Sequence, residues 1–111
     1  MQRIRINNIP NQQFTIMLDG VAYRLRLRTI DDYGVQITLA DVYVNDKLVK
    51  ASVRCAPDSP LIPYDYLTVD GANLFFHCIN GDYPFYTEFN RTQVLCYGTK
   101  EELMELWQSA L

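Results

Sequence analysis

Hydrophobic and polar residues alternate with a period of two over most of the chain. That is the pattern of half-buried β-strands, whose successive side chains point to opposite faces. The clearest run is Val21 to Arg28 (VAYRLRLR), with Tyr23, Leu25 and Leu27 on one face and Arg24, Arg26 and Arg28 on the other. Gln13 to Leu18 (QFTIML) precedes it across Asp19-Gly20, a residue pair that supplies the positive φ of a tight turn, so the two runs form a hairpin. Arg3 to Ile6 is a shorter first strand, and Val35 to Leu39 another, following a turn at Asp31-Asp32-Tyr33-Gly34. Val42 to Val44 either extends that strand or begins the next, and Leu48 to Arg54 returns from a second tight turn at Asn45-Asp46. Tyr66 to Val69 and Leu74 to Ile79 flank Asp70-Gly71 as a third hairpin, and Thr92 to Tyr97 is the last strand. Residues 55–65 hold three of the five prolines and read as an irregular connection, because proline cannot donate to a ladder. Residues 80–91 read as a polar and aromatic loop.

The tail changes period. Thr99 with Glu102 three residues on fits a capping box, and Leu103, Leu106, Trp107 and Ala110 then form one apolar helical stripe. A helix over 99–110 is too short to persist alone, so it must dock on the sheet or on a partner. The pattern predicts a single domain over residues 1–111, mainly β, with its strands between residues 3 and 97. Its expected architecture is a small antiparallel β-sandwich or barrel with one short C-terminal α-helix.

Composition fits this picture: 111 residues with 49% hydrophobic and 21% charged types make one packed globule, not a disordered tail. The three cysteines, Cys55, Cys78 and Cys96, are an odd set without C-x-x-C spacing, which points to a reducing compartment. The net charge of −3 disfavours a duplex-DNA binder, whose phosphate contacts need a basic excess. That charge is unevenly placed. Residues 1–30 hold five Arg and one Asp (5 − 1 = +4), whereas residues 31–111 hold five basic and twelve acidic groups (5 − 12 = −7). Such asymmetry suits protein–protein assembly. No apolar run approaches the roughly 18–20 residues of a membrane span, and the N-terminus lacks the apolar core of a signal peptide.

Candidate chemistry is sparse. His77 and Cys78 are neighbours on a strand, so they face opposite ways and cannot act as base and nucleophile. Asp31/Asp32 and Asp65/Asp70 are explained by turns, and no phosphate-loop, nucleophile-elbow or H-E-x-x-H motif is present. One His and three scattered Cys do not suggest a zinc site. The expectation is therefore no enzyme, and no catalytic, cofactor-binding or metal-binding residue is assigned. The candidate surfaces are for partners: the Arg24/Arg26/Arg28 face, the aromatic loop with Tyr83, Phe85 and Tyr86, and the helix with Leu103, Leu106 and Trp107. Two alternatives stay open on the same residues. One is a small-molecule or carbohydrate site on Trp107 or the Tyr83–Tyr86 aromatics. The other is a single-stranded nucleic-acid site, with aromatics interleaved among basic strands.

Taken in order, Gln13-Phe14-Thr15-Ile16, Leu18-Asp19-Gly20 and Tyr23-Arg24-Leu25-Arg26-Leu27-Arg28 resemble a family of small phage tail proteins. These are the baseplate plug proteins of cyanophage-type contractile-tailed phages and prophages. The likeness continues through Val35 to Leu39, Asn45-Asp46, Leu48-Val49 and Val53-Arg54, and ends with Asp82-Tyr83-Pro84 ahead of Thr92 to Tyr97. Each motif is short; their order and spacing carry the likeness. This chain departs from the family pattern at Val35-Gln36, at Asp46-Lys47, and in a longer C-terminal helix. The resemblance implies a structural virion protein of the tail baseplate or hub, made and assembled in the bacterial host cytoplasm. Its partners would be other baseplate or tail-hub proteins and further copies of itself, with no nucleic acid and no membrane. No catalytic residues come with the family.

Overall fold

The computed structural model describes residues 1–109. The described strands are β1 (Gln2–Ile4), β2 (Gln12–Leu18), β3 (Val21–Asp32), β4 (Val35–Val44), β5 (Lys47–Arg54), β6 (Asn73–Cys78) and β7 (Gln93–Gly98). The helix α1 spans Lys100–Ser109. The strands form two antiparallel sheets, ordered β2-β3-β4-β5 and β1-β7-β6. Among the described residues no strand of one sheet pairs with a strand of the other, so the architecture is a sandwich and not a closed barrel.

Local chemistry sets the hairpins. Asp19-Gly20 and Asn45-Asp46 adopt the positive φ that their residue types allow (50° and 77°; 50° and 66°). The β3–β4 turn is shorter than the sequence suggests. It consists of Tyr33 and Gly34 alone, so Asp31 and Asp32 lie in β3, and the Asp31 carboxylate accepts the Gly34 N–H at 2.8 Å. Val42 to Val44 extends β4.

The core lies between the sheets. Tyr23, Leu25 and Leu27 of β3 and Ala40 and Val42 of β4 face Leu74 and Phe76 of β6 and Leu95 and Tyr97 of β7, all buried. Phe76 stacks on Phe89 with centroids 5.3 Å apart. The proline-rich segment closes the free side of β6. The Asp58 N–H donates to the Phe76 carbonyl and the Leu61 N–H to the Leu74 carbonyl, both at 2.8 Å. The buried Asn73 amide donates to the Ile62 carbonyl at 2.7 Å and accepts the Ile62 N–H at 3.0 Å. Tyr66 to Val69 is accordingly not a strand. The edge it would need is taken, and Asp65–Leu67 forms a 3₁₀ turn instead.

The helix begins on the predicted capping box. The Thr99 N–H donates to Glu102 Oε1 at 3.0 Å, and the Glu102 N–H donates to Thr99 Oγ1 at 3.4 Å. Glu102 also meets the N-terminal ammonium, and these bonds hold its carboxyl down at about 2. Leu103 packs on the outer face of the three-stranded sheet with Phe75, Val94 and Cys96. Gly98 permits this approach, since a Cβ there would stand 2.8 Å from the Leu103 side chain. Ala110, the last position of the predicted stripe, lies outside the described residues.

All three cysteines are free and buried. Burial pushes the Cys55 thiol up to about 12 and Cys78 to about 11, and raises Cys96. The thiolate is the reactive form, so a thiol reagent at pH 8 is expected to label the native chain far more slowly than the chain in denaturant. Rapid stoichiometric labelling of the native protein would contradict this packing.

Candidate functional site

The arginine row lies on the outer face of the four-stranded sheet, where alternation places it. Pairing then decides what each guanidinium does. Register sets Arg24 opposite Tyr43 and Arg26 opposite Asp41. Arg24 lies 4.0 Å over the Tyr43 ring and 3.8 Å from the Asp46 carboxylate. Arg28 donates to Asp41 Oδ1 at 3.1 Å and to Ser52 Oγ at 2.9 Å. Asp41 also accepts the Ser52 N–H at 2.7 Å, holding Ser52 at φ 54° where the β4–β5 pairing shifts register. Arg24 and Arg28 are thus tied into the fold, and Arg26 is the exposed member of the row. Asp41, Tyr43 and Ser52 were not candidates from sequence. The available signal was Asp41 itself, a lone charge between Ala40 and Val42 in an apolar strand.

The aromatic loop hangs from one side chain. Gln93 of β7, only 3% exposed, accepts the Phe85 N–H at 2.7 Å and donates to the Tyr83 carbonyl at 2.9 Å and the Asp82 carbonyl at 3.4 Å. Thr38 Oγ1 donates to the Pro84 carbonyl at 2.8 Å, which fastens the loop to β4. Tyr83 points outward, 55% exposed, with the Arg54 guanidinium 4.6 Å over its ring. Phe85 and Tyr86 are half-buried against each other at 4.6 Å. Because Arg28, Leu39 and Arg54 share one row across β3, β4 and β5, Tyr83 adjoins the arginine face.

The helix residues lie elsewhere, over the outer face of the other sheet. Leu103 is buried, and Trp107 is half-buried with its ring edge-on to Phe75 at 6.0 Å. Leu106 remains 37% exposed, and Met104 is exposed as well. A groove of about 720 Å³ runs between the helix and the preceding loop, lined by Tyr66, Lys100, Met104 and Trp107 among others. Thr99→Ala is expected to cost about 1 kcal/mol and to speed amide exchange in α1 while leaving exchange in β3 unchanged. Equal acceleration in β3 would contradict a locally capped helix.

The remaining chemistry is modest. His77 is exposed, with Nδ1 2.9 Å from Asp58 Oδ1, and Cys78 is buried on the opposite face of the strand. Among the described residues no three His, Cys, Asp or Glu side chains cluster as metal ligands. No described helix is long and apolar enough to cross a membrane.

The candidate residues of this two-sheet fold lie toward its two outer faces. The sequence model of one family, cyanophage baseplate Pam3 plug gp18, matches residues 1–101. The chain belongs to this family. Membership makes it a structural plug protein of the phage baseplate, located in the virion tail and interacting with other baseplate proteins. The plug match spans every strand and the Thr99 cap and stops at residue 101, so Leu103, Leu106 and Trp107 lie beyond it. No curated protein matches the plug chain.

Proposed function

We propose that this plug protein is a non-enzymatic subunit of a contractile-tail baseplate or hub that acts by protein–protein assembly and forms a homo-oligomer. It folds in the host cytoplasm, where its buried thiols stay reduced, and is then built into the tail. The observation that carries this reading is the plug-family match over residues 1–101. The uneven charge and the outward aromatics support it. The contact surface we assign runs from Arg26, between the fixed guanidinia of Arg24 and Arg28, to Tyr83, with Phe85 and Tyr86 behind it. Leu106, backed by Leu103 and Trp107, is a second contact on the opposite face.

Purified tails should contain the chain at a fixed stoichiometry by mass spectrometry, with density for the domain at the distal end of the tube. Its absence from mature particles would overturn the reading. A second reading rests on the groove beside Trp107, whose aromatic and cationic lining suits a sugar or small ligand. Native mass spectrometry showing a co-purified small molecule would favour it. Single-strand binding is less well supported, because Arg24 and Arg28 already have partners within the fold.

A further inference from the structure

The two sheets have four outer strands, β2 and β5 in one and β1 and β6 in the other. An outer strand presents unpaired N–H and C=O groups, which proteins guard with charge, proline, bulges, short length or a covering segment. Three of these edges are guarded. The Pro57–Leu61 segment covers β6 through its backbone hydrogen bonds and bridges. Register shifts break β5, which also carries Lys47, Lys50 and Arg54. β1 is three residues long and contains Arg3.

β2 carries no such guard in its own sequence. Its seven residues, QQFTIML, lack charge, proline and glycine, and they pair with β3 in unbroken register from Gln12↔Leu27 to Leu18↔Val21. Across a two-residue turn the closing pair, Leu18 and Val21, exchanges both its bonds. Gln13, Thr15 and Met17 therefore turn their backbone groups to the free side. Among the described residues no backbone group bonds to them there. Phe14 and Ile16 sit only partly buried at the rim of the core, beside a groove of about 260 Å³ that Ile4, Arg5, Ile6 and Asn7 also line.

We propose that β2 is a strand-addition site, and that its occupant is β2 of a second copy of this chain, antiparallel about a two-fold axis at Thr15. Self-complementarity selects the occupant. In that register Thr15 exchanges both hydrogen bonds with Thr15 of the other copy, and Gln13 does so with Met17. On the inner face Phe14 of each copy lies opposite Ile16 of the other, an aromatic–aliphatic pair that extends both cores across the seam. β2 itself brings no charge to the junction, since the arginine row stays one strand back on β3, and Arg5 lies in the adjoining groove. A two-fold contact also closes on itself and does not propagate into a fibre. The inference rests on the homo-oligomer reading above and names its surface.

In sedimentation velocity the purified full-length wild type is expected to be a dimer at concentrations on the order of 100 µM. Thr15→Lys keeps the backbone ladder of β2 and β3, although its ammonium then faces Arg24 within the chain, and it sets two ammonium groups face to face at the axis. It is expected to weaken the dimer by on the order of tenfold or more. Thr15→Glu alone should do the same, and mixing the two variants should restore a dimer of mixed composition, which misfolded chains would not form. A monomeric wild type, a dimer that neither variant weakens, or variants that fail to recover on mixing would each overturn the pairing. The baseplate role is decided separately, by the presence of the chain in purified tails.

Discussion

Phe76→Ala is expected to remove about 3–5 kcal/mol of folding stability, a large share of the roughly 5–15 kcal/mol typical of a single domain. The residue is fully buried at 0% exposure, on the inner face of β6. Its ring stacks on Phe89, whose carbonyl accepts the Asn8 side-chain amide at 2.7 Å. Next to Phe89, the Asn90 side chain exchanges hydrogen bonds with both backbone groups of Ile6. Removing the ring therefore leaves a cavity where three parts of the chain converge: β6, the loop after it, and the crossing from β1 to β2. None of these can collapse inward easily, because each is pinned by hydrogen bonds. In urea the midpoint should fall steeply with an unchanged m-value, and Phe76→Leu should cost much less because most of the volume is kept. A loss below about 1 kcal/mol for the alanine variant would mean that this part of the interior is not packed as described.

Much of the fold was legible because its chemistry is local. The alternation Tyr23/Leu25/Leu27 against Arg24/Arg26/Arg28 needs no knowledge of neighbours, and neither does the positive φ of Asp19-Gly20. The Thr99–Glu102 box is likewise complete within four residues. Tyr66 to Val69 was misread because Tyr, Thr and Val favour strands, yet a strand requires a free partner edge. The Pro57–Leu61 segment occupies that edge of β6, and nothing near Tyr66 reveals it. The site shows the same division. Exposure of the arginine face followed from period two, but the ties of Arg24 to Tyr43 and of Arg28 to Asp41 depend on β3–β4 register. That register is set by a turn at Tyr33-Gly34, two residues shorter than the four-residue turn read from Asp31 to Gly34. Gln93 was invisible for a related reason: its three partners, in residues 82–85, meet it only once the loop folds back on β7.

The two outer faces of the sandwich are used differently. The helix occupies that of the three-stranded sheet, burying Phe75, Val94 and Cys96. The four-stranded sheet keeps its outer face open, with Arg26 and Tyr83 exposed and no guard in the sequence of β2 itself. Inter-subunit contacts therefore have most room on the four-stranded sheet. Residues 1–101, the span of the family match, contain all of that sheet and only the first two residues of the helix. On the proposed reading, the β2 edge and Tyr83 offer contacts inside the matched span, and Leu106 offers one beyond it.

Gln93→Ala separates scaffold from surface. The buried amide serves three backbone groups, so its loss leaves the part-buried Phe85 N–H and Tyr83 carbonyl without that partner. Each unpaired buried group costs about 1–3 kcal/mol, and partial rescue by solvent as the loop lifts gives an expected total of about 2–4 kcal/mol. Hydrogen exchange should quicken across residues 82–88, and chymotrypsin should begin to cut after Phe85 or Tyr86. Gln93→Glu makes a sharper comparison. It keeps an acceptor for Phe85 but aims a carboxylate at the Tyr83 and Asp82 carbonyls, so it should destabilise at least as much despite its near-identical shape. Tyr83→Ala should leave stability within about 0.5 kcal/mol, since the ring is exposed and the loop's fastenings are backbone groups held by Gln93 and Thr38. If the loop is an assembly surface, both Gln93→Ala and Tyr83→Ala should enter tails poorly, although only the first is unstable. Normal incorporation of Tyr83→Ala would remove Tyr83 from the interface and leave Gln93 with a purely architectural role.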